Sequence, residues 1–195
     1  MNLFRIFRKK GNYRTNKHQI DSDALFSLSS ANITLETKLN LRNTGKAAIG
    51  LKSVSGRLFA ETIEEIKHFL DVSKTESDLS YKVINDSYGY LWIILQCGKI
   101  EDIISGISAI GQIVQDRDFS KQLFAALFEF SNDNNRKSNR YLVYSFALNK
   151  FYPFVPVNKN ERDNEIEREI MKTIVDEVPF EKDVSLWYPI WDHIL

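Results

Sequence analysis

The sequence predicts an α+β fold, in which helices pack on a mainly antiparallel sheet built from hairpins. Two pairs of apolar runs lead to this prediction, residues 81–84 with 88–95 and residues 123–130 with 141–148. Each pair is separated by a polar segment, which is typical of antiparallel strands joined by a loop. Helical patterns lie between the pairs, without the regular strand–helix–strand alternation of a parallel sheet.

The helices are predicted from apolar residues that recur every three or four positions. The first helix is short, and Asp21 is a suitable N-cap for it. Three longer helices follow, and the clearest of them is the second. Their apolar stripes are Ile63, Ile66, Phe69 and Leu70; then Ile100, Ile103, Ile104, Ile107, Ile110 and Val114; and finally Ile166, Ile170 and Ile174.

Strands are expected elsewhere. Apolar and polar residues alternate between Ile33 and Leu41, which favours a half-exposed strand, although a helix over 33–39 fits as an alternative. Residues 43–45 (Asn-Thr-Gly) are expected to form a turn. The continuous apolar run at 91–95 predicts a central strand covered on both faces.

Length and composition indicate one globular domain with an N-terminal arm. Apolar residues make up 43% of the 195 residues, and a single cysteine, Cys97, excludes an internal disulfide. The longest run without Asp, Glu, Lys or Arg is residues 103–115, whereas a membrane-spanning helix needs about 20 apolar residues. No signal-peptide pattern is present at the start. A cytoplasmic protein is therefore expected, with residues 1–20 as arm and linker and residues 21–195 as a single α+β domain.

The arm concentrates positive charge. Residues 1–18 hold six basic residues and no acid, while the remaining residues hold 20 basic and 26 acidic ones. On a helix, the apolar and basic side chains of residues 1–10 would lie on opposite sides, which favours weak adsorption to an anionic membrane surface. The candidates for this contact are Leu3, Phe4, Arg5, Ile6, Phe7, Arg8, Lys9 and Lys10.

No constellation of catalytic or metal-binding residues is found. His18, His68 and His193 are isolated from one another and from Cys97, so the spacing of a metal site is missing. Cys97 ends an apolar run, where a thiol behaves as a small hydrophobic group. We therefore expect no catalytic residues, no metal and no cofactor.

The last third of the chain carries two aromatic–proline motifs, at residues 151–156 and 187–192. Two interpretations stay open: the terminal rings dock onto the body, or they anchor a partner, since Trp and Tyr dominate binding hot spots. Likewise, residues 162–164 (Arg-Asp-Asn) order the aromatic segment by hydrogen bonds or bind a partner's polar groups. The acids that follow, to Glu169, are expected on a solvated helix face. The candidate partner-binding residues are Tyr152, Phe154, Arg162, Asp163, Asn164, Trp187, Tyr188 and Trp191.

Taken together, the short motifs of this sequence resemble those of the PspAB family, the proteins associated with phage-shock protein A (PspA). The matching motifs lie at residues 23–26 (DALF), 34–36 (TLE), 44–48 (TGKAA), 86–92 (DSYGYLW), 141–144 (YLVY), 151–156 (FYPFVP), 162–164 (RDN) and 187–192 (WYPIWD). The resemblance covers the chain from Asp21 onwards. It implies an accessory protein of the envelope (phage-shock) stress response, with PspA and an HtpX-like membrane protease as neighbours, and it transfers no catalytic residues.

The leading hypothesis is a non-enzymatic interaction protein that acts near the membrane with one of these partners, located in the cytoplasm or at the inner face of the membrane. Two rivals remain. One is a hydrolase that uses scattered carboxylates such as Glu36, Asp86 or Asp163. The other is an RNA-binding accessory protein, which the acidic body and the lack of a recognition motif disfavour.

Overall fold

The computed structural model describes residues 20–132, 139–158, 160–191 and 194–195. In chain order its helices are α1 (Ser22–Phe26), α2 (Leu28–Leu39), α3 (Arg57–Glu76), α4 (Ile100–Asp116) and α5 (Asn164–Ile174). The strands are β1 (Leu41–Lys52), β2 (Ser80–Asn85), β3 (Tyr90–Gln96), β4 (Leu123–Asn132), β5 (Arg140–Ser145), β6 (Lys150–Phe154), β7 (Pro156–Asn158) and β8 (Glu161–Arg162). The predicted α+β class is confirmed. The predicted arm lies outside the described residues.

Among the described residues, six strands form one sheet in the order β2-β3-β1-β4-β5-β6, with every neighbouring pair antiparallel. Both predicted hairpins are present. Val83 pairs with Ile93 in the first, and Leu127 pairs with Val143 in the second. β1 joins the two hairpins in the middle of the sheet, and β6 extends the second one at the edge.

The turn predicted at residues 43–45 is wrong, because β1 continues through it with a shift of register between Asn43 and Ala47. The N–H of Gly45 donates to the side-chain oxygen of Asn43 at 2.9 Å, and Gly45 has a φ of 78°. A β-carbon at Gly45 would lie 2.6 Å from the carbonyl oxygen of Cys97. Glycine is thus required at a bulge, which uses the same residue types as a turn.

The strand expected from residue 33 is also wrong as far as residue 39, where the alternative helix is present as α2. Leu28, Ala31 and Leu35 are buried along one side of this helix, and Ile33 is exposed. The spacing of the buried residues is helical, so the apparent alternation does not reflect a strand. The helix ends at Asn40 in the left-handed conformation, a common C-terminal stop.

Helix α4 covers the sheet, lying against β1, β3 and β4. Every residue of its predicted stripe is buried. Gly106 allows the close approach of helix and sheet, since a β-carbon there would lie 2.8 Å from a methyl group of Leu95. On the outer side of this layer, Arg117 pairs with Glu65 of α3 at 2.7 Å.

The opposite face of β5 and β6 carries Tyr141, Tyr152 and Phe154, because side chains alternate along a strand. All three are buried. Trp191 packs edge-on against Phe154, with ring centroids 5.3 Å apart. The C-terminal segment, residues 179–191, therefore covers part of this end of the sheet.

β3 is an interior strand, as the run at residues 91–95 predicts. Trp92, Ile93 and Leu95 are buried, but Leu91 and Ile94 are half-buried. The expected cover on both faces is therefore incomplete.

Replacing Gly50 by alanine is expected to lower the free energy of unfolding by about 1–3 kcal/mol, because overpacking strains a core. A β-carbon at Gly50 would lie 2.7 Å from the ring of Trp92, its partner across β1 and β3. Gly98→Ala is the matched control, since nothing lies within 4 Å of a β-carbon there, and it should change stability by no more than about 0.5 kcal/mol. Urea unfolding measures both, and equal losses in the two variants would contradict this packing.

Candidate functional site

Strand β6 places the first aromatic–proline motif, residues 151–156, at the edge of the sheet. On one side it pairs with β5, where Tyr141 is opposite Phe154. On the other side, Phe151 donates its N–H to the carbonyl of Pro179 and accepts the N–H of Glu181, both at 2.8 Å. The C-terminal segment thus adds a short parallel bridge to this edge, and the bridge satisfies backbone groups of the edge strand.

Arg162 and Glu167 form a buried ion pair beside this strand. The Nε of Arg162 donates to both carboxylate oxygens of Glu167 at 2.8 Å. Its Nη1 donates to the carbonyl of Trp187 at 2.8 Å, and its Nη2 donates to the carbonyl of Pro153 at 3.1 Å. Glu167 also accepts the N–H of Val155 at 2.8 Å. One pair therefore joins β6, β8, α5 and the C-terminal segment.

The surroundings of the pair are largely apolar. The guanidinium of Arg162 lies 5.4 Å from the ring centroid of Phe154 and 6.0 Å from that of Trp187, within the range of cation–π attraction. Burial raises the pKa of Glu167, while the hydrogen bonds from Arg162 and from the N–H of Val155 lower it. Because Glu167 is fully buried, its charge depends on Arg162 for compensation.

Trp187 is enclosed by the same cluster. Its indole N–H donates to the carbonyl of Glu181 at 2.8 Å, and its ring packs edge-on against Phe180. The carboxylate of Glu181 accepts the N–H of Asp183 at 2.9 Å and pairs with Lys150 at 3.0 Å. The N–H of Asp183 and the ammonium of Lys150 lower the pKa of Glu181 against the opposing effect of burial. For Trp187, the geometry favours docking of the segment onto the body.

Asp163 and Asn164 have different surroundings. The side chain of Asp163 caps α5 by accepting the N–H groups of Glu165 at 3.1 Å and Ile166 at 3.0 Å. Its own N–H donates to the carbonyl of Val155 at 2.8 Å. Arg162 and Asp163 thus order the aromatic–proline motif at residues 151–156 by hydrogen bonds, which is one of the two alternatives given for residues 162–164. Asn164, in contrast, is exposed at the start of α5.

The eight residues predicted to contact a partner divide by exposure. The buried ones, whose rings are not available to a partner in this conformation, are Tyr152, Phe154 and Trp187. The half-buried ones are Arg162, Asp163 and Trp191, and the exposed ones are Asn164 and Tyr188. Tyr188 is 57% exposed, and its carbonyl accepts the hydroxyl of Tyr152 at 3.0 Å. Partner contact stays a prediction, now restricted to the accessible members of the set.

Three buried acids, Glu129, Glu167 and Glu181, were not identified from the sequence. Glu167 was expected on a solvated helix face, and this prediction is wrong because Arg162 lies against it. Glu129 on β4 is also buried and accepts the hydroxyl of Thr44 at 2.6 Å and the side-chain amide of Asn139 at 2.7 Å. A signal for Glu129 exists, since it is the one charged residue in the apolar run 123–130.

The carboxylates of the hydrolase hypothesis serve separate local structures. Glu36 on α2 pairs with Arg42 at 3.1 Å. Asp86 accepts the N–H of Tyr90 and the indole N–H of Trp92, both at 2.8 Å, in the turn between β2 and β3. Asp163 caps α5 at another end of the molecule. In the ranges that the structure describes, no group of three or more His, Cys, Asp or Glu residues is placed to bind a metal ion.

Comparison with known proteins identifies a family. A family model described as PspA associated protein B matches residues 1–195, the whole chain. The match confirms the family resemblance and extends it over the N-terminal arm. No curated protein matches the chain significantly. No helix within the described ranges has the length and apolar character needed to cross a membrane.

The variant Arg162→Ala is expected to lower the free energy of unfolding by about 3–5 kcal/mol, because it leaves the buried carboxylate of Glu167 without its partner. Arg168→Ala is the control, on α5 next to Glu167 in the sequence; Arg168 is exposed, and its loss should change stability by no more than about 0.5 kcal/mol. Urea unfolding followed by tryptophan fluorescence measures both. A loss for Arg162→Ala no larger than that of the control would contradict the role given to the ion pair.

Proposed function

Since this chain belongs to the PspA associated protein B family, we propose that it is a non-enzymatic accessory protein that binds PspA in the envelope (phage-shock) stress response. The observation that carries the proposal is the family match along all 195 residues. We place its action at the cytoplasmic face of the membrane, with the acidic body contacting the protein partner and the basic arm contacting the lipid surface.

The contact surface that we propose is the accessible part of the C-terminal segment, with Tyr188 and Trp191 as aromatic anchors and Asn164 beside α5 as a polar contact. Buried hydrogen bonds to Tyr152 and Arg162 support the backbone from which these side chains project. A surface ordered before binding loses little conformational entropy on association. Exposed Tyr and half-buried Trp are also the side chains that contribute most to protein interfaces.

The variant Tyr188→Ala is expected to weaken binding to purified PspA by about tenfold or more, as the loss of an aromatic anchor does. The matched control is Tyr88→Ala. Tyr88 is 70% exposed, but it lies in the turn between β2 and β3, at the sheet edge opposite to β6. Its removal should leave the affinity unchanged. Isothermal titration calorimetry with the full chain measures all three proteins.

Two results would count against this part of the proposal. If the wild-type chain does not bind PspA, the partner is wrong, and the same titration with a solubilised HtpX-like protease tests the other neighbour that the family implies. If both tyrosine variants bind as the wild type does, PspA is the partner but the contact lies elsewhere on the chain.

The arm is proposed to add a reversible membrane contact. Full burial of four side chains such as Leu3, Phe4, Ile6 and Phe7 would be worth roughly 6–12 kcal/mol. Ordering ten residues costs about 1 kcal/mol each, and attraction to an anionic leaflet returns about 1 kcal/mol per cation. An interface buries these side chains only partly, so the balance is marginal. The arm would therefore adsorb weakly and would need the partner as a second contact.

Deletion of residues 1–18 is therefore expected to reduce co-sedimentation with vesicles rich in anionic lipid. A full-length variant in which the six basic residues of the arm are replaced by glutamine separates charge from length. It should lose most of the binding, because the electrostatic attraction is removed while the apolar side chains remain. Equal sedimentation of the wild-type and deleted chains would exclude the arm from the membrane contact.

A further inference from the structure

Arg140, at the start of β5, is a buried cation without a partner among the residues that the structure describes. The residue is 8% exposed, and its Nε makes no hydrogen bond to any of them. Within the part of the chain that the structure describes, no carboxylate lies within salt-bridge distance of its guanidinium. Buried arginines are normally paired, since desolvating a charge without compensation is unfavourable. Arg162 in the same protein, whose three side-chain nitrogens all donate hydrogen bonds, shows the usual arrangement.

The side chain of Arg140 lines a cleft of about 390 Å³ between the C-terminal end of α2, the start of β1 and α5. This volume falls within the roughly 300–1,000 Å³ of small-molecule sites. Ile166 and Ile170 of α5 form an apolar part of the wall. Arg140 is therefore one wall of a space large enough for an organic molecule.

The charged and polar groups around the cleft favour a negative ligand. Lys38 and Arg140 contribute two positive charges, and Glu169 contributes one negative charge. Asn40 adds a side-chain amide at the end of α2. Guanidinium groups match carboxylate and phosphate oxygens in both geometry and charge. With a net charge of +1 from these side chains, the cleft suits a ligand of low negative charge.

We propose that this cleft binds a small organic oxyanion, a carboxylate or a phosphate ester, and that Arg140 is its main contact, with Lys38 as a second cation at the rim. The lining of this cleft shares no residue with the surface proposed for PspA. The inference does not depend on the identity of the protein partner.

The test uses the full-length chain and three probes, namely inorganic phosphate, glycerol phosphate and succinate, at constant ionic strength. The Nε–H signal of Arg140 is followed by ¹H–¹⁵N NMR and is assigned by its absence in Arg140→Met. A saturable shift of this signal is expected with at least one probe. At a concentration 100 times the Kd, that probe should also raise the Tm by about 5–10 °C.

The variants separate a binding role from a structural one. Without any probe, Arg140→Met should have a Tm equal to or above that of the wild type, because the methionine keeps the packing and removes an unpaired buried charge. It should show no rise with the probe. Lys38→Met should bind more weakly but still shift the Nε–H signal of Arg140. The control Arg57→Met, on α3 and away from the cleft, should behave as the wild type.

A response to glycerol phosphate without one to succinate would support a phosphate ester as the ligand, and the reverse would support a carboxylate. The proposal is overturned if no probe gives a saturable shift of the Arg140 signal. It is also overturned if the Tm of Arg140→Met rises with the probe as much as that of the wild type, since the effect would then be one of salt. A lower Tm of Arg140→Met without any probe would assign Arg140 to the fold instead.

Discussion

The guanidinium of Arg162 joins three parts of the chain by hydrogen bonds, in addition to the short bridge between β6 and the C-terminal segment. It binds Glu167 on α5, a carbonyl of β6 and a carbonyl of the C-terminal segment. Desolvating both charges is unfavourable, and the pair is stable only because each remaining donor or acceptor finds a partner. This arrangement helps to hold both the aromatic–proline motif at residues 151–156 and the C-terminal segment.

The buried residues around the ion pair and the accessible residues proposed to contact a partner therefore have different roles. Trp187, Tyr152 and Phe154 are buried around the ion pair, so they build the surface without belonging to it. Tyr188 and Trp191 follow within a few residues and remain accessible. A substitution of a buried member would alter stability and binding together, whereas a substitution of Tyr188 affects the surface alone. Experiments on the partner are informative only when they use the accessible residues.

The parts predicted from the sequence are those that local patterns determine. The two hairpins and α4 follow from apolar periodicity over ten or more residues, and the aromatic core residues follow from their place in the strands. The turn at residues 43–45 and the strand at 33–39 failed because Asn and Gly also serve a bulge, and because a short alternation overlaps a helical spacing. Glu167 pairs with Arg162, which precedes α5 and so falls outside its helical spacing. Arg140 lies near groups that are distant in the sequence. The periodicity of apolar residues contains neither contact.

Native-state hydrogen exchange tests the central claim most directly, since it reports the stability of individual amides. If the Arg162–Glu167 pair joins the C-terminal segment to the sheet, the amides of Val155 and Glu181 should exchange within about tenfold of the core amide of Val143 in β5, by one common opening. Exchange of the Glu181 amide orders of magnitude faster than that of Val143 would show that the segment opens by itself, and would contradict the account.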